Sequence, residues 1–178
     1  QVQVGGRRVT IAGMAKGAGM IAPDMATLLV TIVTDARVGG PALRTCVRAA
    51  VATSFNAISV DGDCSTNDTV LMLANGVAGN APFVAASADG VRFGTALAAL
   101  MQELADMVVA DGEGATKRAR ITVVWARTTA DARRAARSIG ESQLVKTALF
   151  GGDPNWGRIA CAAGYAGVPL AAERLSVT

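Results

Sequence analysis

Thr27 stands between the glycine-rich stretch Gly13–Pro23 and the apolar run Leu28–Thr34. A threonine hydroxyl is a weak nucleophile by itself. It becomes a good one as the first residue of a chain, where its own α-amine takes the proton. That amine titrates at about pH 8, which suits a general base. Such a nucleophile needs no histidine, and the chain has none. The same absence excludes the Ser-His-Asp triad, the Cys-His dyad and zinc motifs built on imidazole. By spacing alone, Thr27 also reads as an ordinary strand threonine.

Other segments carry polar chemistry. Asp61-Gly62-Asp63-Cys64-Ser65-Thr66-Asn67-Asp68-Thr69 alternates carboxylates as a metal loop does. A calcium loop of the EF-hand kind needs Gly at its sixth place and Glu at its twelfth, where this chain has Thr66 and Met72. A polar loop beside a site is the better reading, and no metal is expected. Glu113 sits between Gly112 and Gly114, where the backbone can approach a ligand and the carboxylate can meet an ammonium group. A helix C-terminal turn explains the same glycines. Gly17, Gly19 and Ala22 formally satisfy a dinucleotide pattern, but Pro23 and a strand follow where that pattern requires a helix. Trp156 and Arg158, after Asp153-Pro154, either line a pocket or anchor a helix.

Composition narrows the frame. The 178 residues are 51% hydrophobic and 17% charged, which points to a folded domain with a sizeable core and excludes a disordered chain. The net charge is +3. Arg133, Arg134 and Arg137 lie in a helical pattern without interleaved aromatics, so a solvated face is expected and nucleic-acid binding is not. Cys46, Cys64 and Cys161 are odd in number and far apart, which fits a reducing cytoplasm and cysteines used as small buried hydrophobes. The uncharged run Thr69–Ala88 is broken by Asn75-Gly76 and Pro82, so no membrane span is expected there.

The elements that must position these residues follow from periodicity. Arg8–Ala12 reads as a strand and Thr27–Thr34 as a strand buried on both faces. Gly39-Gly40-Pro41 starts a helix to about Asn56, and Val70–Leu73 is a strand. Asp89–Ala110 is the longest helix, with Leu97, Leu100, Met101, Leu104, Met107 and Val108 in one stripe. Ile121–Ala126 reads as a strand, Thr129 as the cap of a helix to about Ile139, and Ser142–Leu149 and Asp153–Ala163 as two more helices. Strands alternating with helices imply a layered α/β fold.

Taken together, KGAGMIAPDMAT (Lys16–Thr27), CSTNDTV (Cys64–Val70), GEGATK (Gly112–Lys117), LVKTALFG (Leu144–Gly151) and DPNWGR (Asp153–Arg158) resemble the ornithine acetyltransferases. These are also called bifunctional glutamate N-acetyltransferases, of cyclic arginine biosynthesis. The resemblance covers essentially the whole chain. It implies an α/β sandwich of sheets and helices like that of N-terminal-nucleophile enzymes. It implies self-cleavage between Ala26 and Thr27, so that residues 1–26 end an α segment and residues 27–178 belong to a β segment. Thr27 is then the catalytic nucleophile, and Lys16 and Glu113 bind substrate together with it. The implied reaction moves an acetyl group from N-acetylornithine to glutamate, with acetyl-CoA as a further donor in bifunctional members and no resident cofactor. The implied assembly is a cytoplasmic α2β2 heterotetramer with the chain's own α segment as partner. The resemblance places an oxyanion-hole Thr-Gly pair upstream of Gln1 and further substrate residues beyond Thr178. An N-terminal-nucleophile aminopeptidase or amidase, and an unprocessed non-catalytic α/β binding domain, are the competing expectations.

Overall fold

The computed structural model describes residues 1–22, 28–63 and 65–178. Ala26, Thr27 and Cys64 lie outside the described residues. The chain forms two compact units, Gln1–Glu113 and Gly114–Thr178. That division concerns packing and has no bearing on the expected processing boundary at Ala26–Thr27.

In the first unit, β1 (Val2–Val4) and β2 (Arg7–Val9) form an antiparallel hairpin. A three-stranded sheet follows, in the order β3 (Ile11–Lys16), β4 (Leu29–Thr34), β5 (Thr69–Ala74). β3 runs antiparallel to β4, and β4 parallel to β5. The parallel step is bridged by α1 (Gly40–Thr53), which carries Pro41 in its first turn. Proline suits that place because the first helical amides have no partner within the helix. The long helix α2 (Ala88–Ala110) follows β5. Ser87 caps it by accepting the Gly90 N–H at 3.1 Å.

The core forms between α1, α2 and one face of the sheet. From α2 it takes Phe93, Leu97, Met101, Leu104, Ala105 and Val108, and from β4 Val30 and Ile32. This packing accounts for the apolar character of α2, which is long and apolar enough to cross a membrane by composition alone. Met107, which shares the spacing of that stripe, points outward at 60% exposure.

β4 departs from expectation. Leu29 and Val33 are about half exposed, as are Leu71 and Leu73 on β5. The helices cover one face of the sheet only, so the strand is not buried on both. The strand expected at Arg8–Ala12 is divided at Thr10 between β2 and β3, and β3 runs on through Gly13 to Lys16. Its glycine lies in a crowded place, where an added Cβ would meet the buried Ile32 Cδ1 inside contact distance. A Cβ at Gly13 would lie 3.2 Å from both Leu104 Cδ1 and Thr31 O.

The second unit is a cluster of three helices: α3 (Thr129–Glu141), α4 (Gln143–Gly151) and α5 (Trp156–Gly164). Ile139, Val145, Ala162 and Ala163 form its small core. The cap of α3 is Thr128 rather than Thr129: the Thr128 hydroxyl accepts the Asp131 N–H at 3.0 Å. The strand expected at Ile121–Ala126 does not form. A strand needs a neighbour for its ladder, and the described residues of this unit contain none. Cys46 is buried as expected, and burial pushes its thiol pKa up, whereas Cys161 is exposed.

Candidate active site

One end of the sheet collects the residues that matter. Strand register places Lys16, the last residue of β3, opposite Leu29, the first of β4. Leu29 in turn faces Thr69, the first of β5. The chain therefore enters β4 between Lys16 on one side and the end of the Asp61–Asp68 loop on the other.

The loop after Lys16 is held from two directions. The Asp61 carboxylate accepts three backbone N–H groups: Met20 at 2.6 Å, Ile21 at 3.1 Å and Asp63 at 3.0 Å. The Asp63 bond is the local kind that aspartate favours in turns, whereas the other two reach across about 40 residues of sequence. Met20 has a φ of 52°, an uncommon conformation for a residue with a Cβ. The Asp61 bond to its N–H helps hold it there. Val60 N–H donates to Ile21 O at 2.8 Å, and the Ile21 side chain is fully buried in the core.

From the other direction comes Glu113. Its N–H donates to Ala18 O at 2.7 Å, and its side chain lies over Gly19. A Cβ at Gly19 would sit 2.8 Å from Glu113 Oε2 and 3.7 Å from Asp61 Oδ2. A side chain at Gly19 would therefore displace the Glu113 carboxylate from its place over the loop. Gly112 is buried against Val60, and Gly114 has a φ of 70°, which releases the chain from the end of α2. The glycines about Glu113 therefore serve both readings of the sequence: they end the helix and they bring the carboxylate to the loop. Lys16 and Glu113, remote in sequence, share one short stretch of backbone.

Asp61 takes part through its backbone bonds, a role the sequence does not single out. Its place near the start of a polar loop full of turn formers is the available signal. Asp68, at the other end of that loop, accepts the Leu28 N–H at 2.9 Å. Trp156 and Arg158 belong to the second unit. Trp156 is 70% exposed. Arg158 Nη1 donates to Leu144 O at 2.9 Å and to Thr147 Oγ1 at 3.0 Å, anchoring α5 to α4. Lys117 Nζ binds the carbonyls of Leu149 and Phe150 at the end of α4, at 2.7 and 3.1 Å. The catalytic and cleavage residues expected at Thr27 and Ala26 lie outside the described residues.

A family model described as the ArgJ family matches residues 1–178. The chain belongs to that family. It is 50% identical over 177 residues to the arginine biosynthesis bifunctional protein ArgJ of Symbiobacterium thermophilum, covering 99% of this chain and 44% of that protein. It is 52% identical over 170 residues to the protein of the same name from Geobacter sulfurreducens, covering 96% and 43%. The chloroplastic form of Oryza sativa is 48% identical, covering 100% and 39%. The crystal structure of argJ from Bacillus halodurans superposes with a TM-score of 0.75 at 40% identity, covering 79% of this chain and 65% of that one. The layered α/β fold is thereby shared with a solved member of the family. The chain spans less than half the length of these curated relatives.

Proposed function

We propose that the protein containing this chain transfers an acetyl group from N-acetylornithine to glutamate in arginine biosynthesis, through an acetyl ester on Thr27. The observation that carries the reading is the convergence of Lys16 and Glu113 on the glycine loop before Thr27, through the Glu113–Ala18 hydrogen bond. Naming of the relatives for arginine biosynthesis supports the pathway.

The chemistry proceeds in two stages. In the first, the Thr27 hydroxyl attacks the Ala26 carbonyl carbon. The C–N bond between Ala26 and Thr27 breaks, the hydroxyl proton passes to the Thr27 nitrogen, and water hydrolyses the resulting ester. In the second, the free α-amine of Thr27 takes the hydroxyl proton as the oxygen attacks the acetyl carbonyl of N-acetylornithine. Ornithine leaves with that proton, and the amine of glutamate then accepts the acetyl group. Lys16 holds the α-carboxylate common to donor and acceptor. Glu113 pairs with the side-chain ammonium of ornithine. In bifunctional members acetyl-CoA enters as donor at the same ester. The whole protein is read as a cytoplasmic α2β2 assembly.

The test is intact-mass measurement of the full-length protein with an acetyl-transfer assay. Two chains are expected, one beginning at Thr27, with N-acetylornithine consumed only as acetylglutamate appears. A single uncut chain that still transfers acetyl groups overturns the mechanism. Hydrolysis of N-acetylornithine without transfer indicates an amidase instead.

The Glu113 assignment has its own measurement. Glu113→Gln keeps the size and loses the charge. The Michaelis constant for N-acetylornithine is expected to rise about tenfold, the size of one charge-assisted hydrogen bond in a solvated site, with glutamate affected less. An unchanged constant removes Glu113 from the ammonium site.

A further inference from the structure

We propose that Asp61 is a positioning residue for the donor substrate: its carboxylate sets the turn at Met20, and that turn fixes where Glu113 stands. The inference rests on the reading of Glu113 as the partner of the ornithine ammonium. The two substrate residues are held by different devices. Lys16 ends β3 and is registered by the strand ladder against Leu29. Glu113 lies outside any strand, just past the end of α2, and its N–H reaches Ala18 O at 2.7 Å. The place of Glu113 therefore depends on the shape of residues 18–21.

Met20 is the hinge of that stretch. On its far side Ile21 is fixed: its side chain is fully buried, and its carbonyl accepts the Val60 N–H at 2.8 Å. On its near side Ala18 and Gly19 carry the contacts with Glu113. The Met20 φ of 52° sets the angle between the two sides. A residue with a Cβ enters this region of backbone space at a cost, so a specific bond is needed to keep it there. Asp61 Oδ2 supplies it, accepting the Met20 N–H at 2.6 Å, as short as a charge-assisted bond becomes. The carboxylate is itself oriented, because Oδ1 accepts the N–H groups of Ile21 at 3.1 Å and Asp63 at 3.0 Å. Val60, the neighbour of Asp61, packs on Gly112, where an added Cβ would lie 3.2 Å from Val60 Cγ1. Val60 and Asp61 thus bear on both the loop and the residue before Glu113.

Asp61→Asn in the full-length protein removes one bond selectively. The amide oxygen keeps the N–H groups of Ile21 and Asp63, and NH2 faces the Met20 N–H, donor against donor. The Michaelis constant for N-acetylornithine should rise about fivefold to tenfold, no more than Glu113 itself supplies. The constant for glutamate should stay within about twofold and kcat within about threefold, because the strand ladder and not the loop places Lys16. Equal rises in both constants, or a fall in kcat alone, make Asp61 a general support of the fold and overturn the proposal. A double-mutant cycle reads the route. In a Glu113→Gln background, Asp61→Asn should change the N-acetylornithine constant by less than about twofold. If the two losses multiply in full, Asp61 acts without Glu113 and the proposal fails. It fails equally if Asp61→Asn alone leaves that constant unchanged. Should the asparagine variant fail to fold, Asp61→Glu takes its place in the cycle. It keeps the charge, displaces both oxygens by one methylene, and is decided by the same non-additivity. Glu113→Gln without an effect of its own removes the underlying reading, which separates that failure from failure of the Asp61 assignment alone.

Discussion

Thr27→Ala in the full-length protein should give one uncut chain and acetyl transfer at the floor of the assay, a loss of about a thousandfold or more. Two functions go with one hydroxyl. In the proposed mechanism the hydroxyl opens the Ala26–Thr27 bond, and opening that bond creates the amine that later serves as base. In the uncut chain the nitrogen of Thr27 is a peptide amide with no basic lone pair. No histidine is present in this chain to substitute for it. Thr27→Ser keeps the hydroxyl and the future amine, so it should still cut and still transfer, more slowly. Intact mass and a coupled assay read both outcomes. An alanine variant with normal turnover leaves the acetyl-threonine intermediate without support.

Part of the site is legible in the amino-acid sequence. Glu113 between two glycines reads by itself as a place for an ammonium group, whereas the roles of Lys16 and Thr27 come from the family resemblance. Their registration is not legible there. That Lys16 lies opposite Leu29, and that Glu113 N–H reaches Ala18 O, are long-range pairings which no local period encodes. Asp68 escapes notice for a similar reason: only the folded chain shows its carboxylate accepting the Leu28 N–H.

Element types follow from sequence where burial and period agree. α2 is the strongest instance: its stripe from Leu97 to Val108 faces the core, except at Met107. Ile121–Ala126 shows the opposite. Its β-branched and aromatic content favours a strand, but propensity of this kind depends on a neighbouring strand to pair with. In the structure Trp125 has a φ of 64° and is almost fully exposed. The caps follow the same logic on a smaller scale. Thr128 and Thr129 are adjacent and chemically equal, and only the helical geometry decides which hydroxyl meets the Asp131 N–H.

The second large effect belongs to Gly90. Gly90→Ala should destabilise the fold by about 3 kcal/mol or more, lowering the melting temperature by roughly 6 to 12 °C. In the first turn of α2 alanine is ordinarily the better helix former, so the expected sign reverses propensity. The reason is contact. A Cβ at Gly90 would fall inside contact distance of Val84 O and 2.5 Å from Ala85 O. Both are backbone atoms, so no side chain can rotate away. Either the turn at Val84–Ser87 moves, with loss of the Ser87 cap, or the helix does. A helix of 23 residues, about 35 Å long, behaves as a stiff rod. A shift at its start carries toward Leu104, which packs on Gly13 of β3, and toward Glu113 just past its end. The variant should therefore lose self-cleavage and transfer along with stability. Gly94→Ala is the matched control. It changes glycine to alanine one turn further along the same helix, and its added Cβ meets only Cys46 Sγ, at an ordinary 3.7 Å. Its melting temperature and turnover should match wild type or exceed it. If the two variants behave alike, the close approach at Gly90 is not what holds α2 in place.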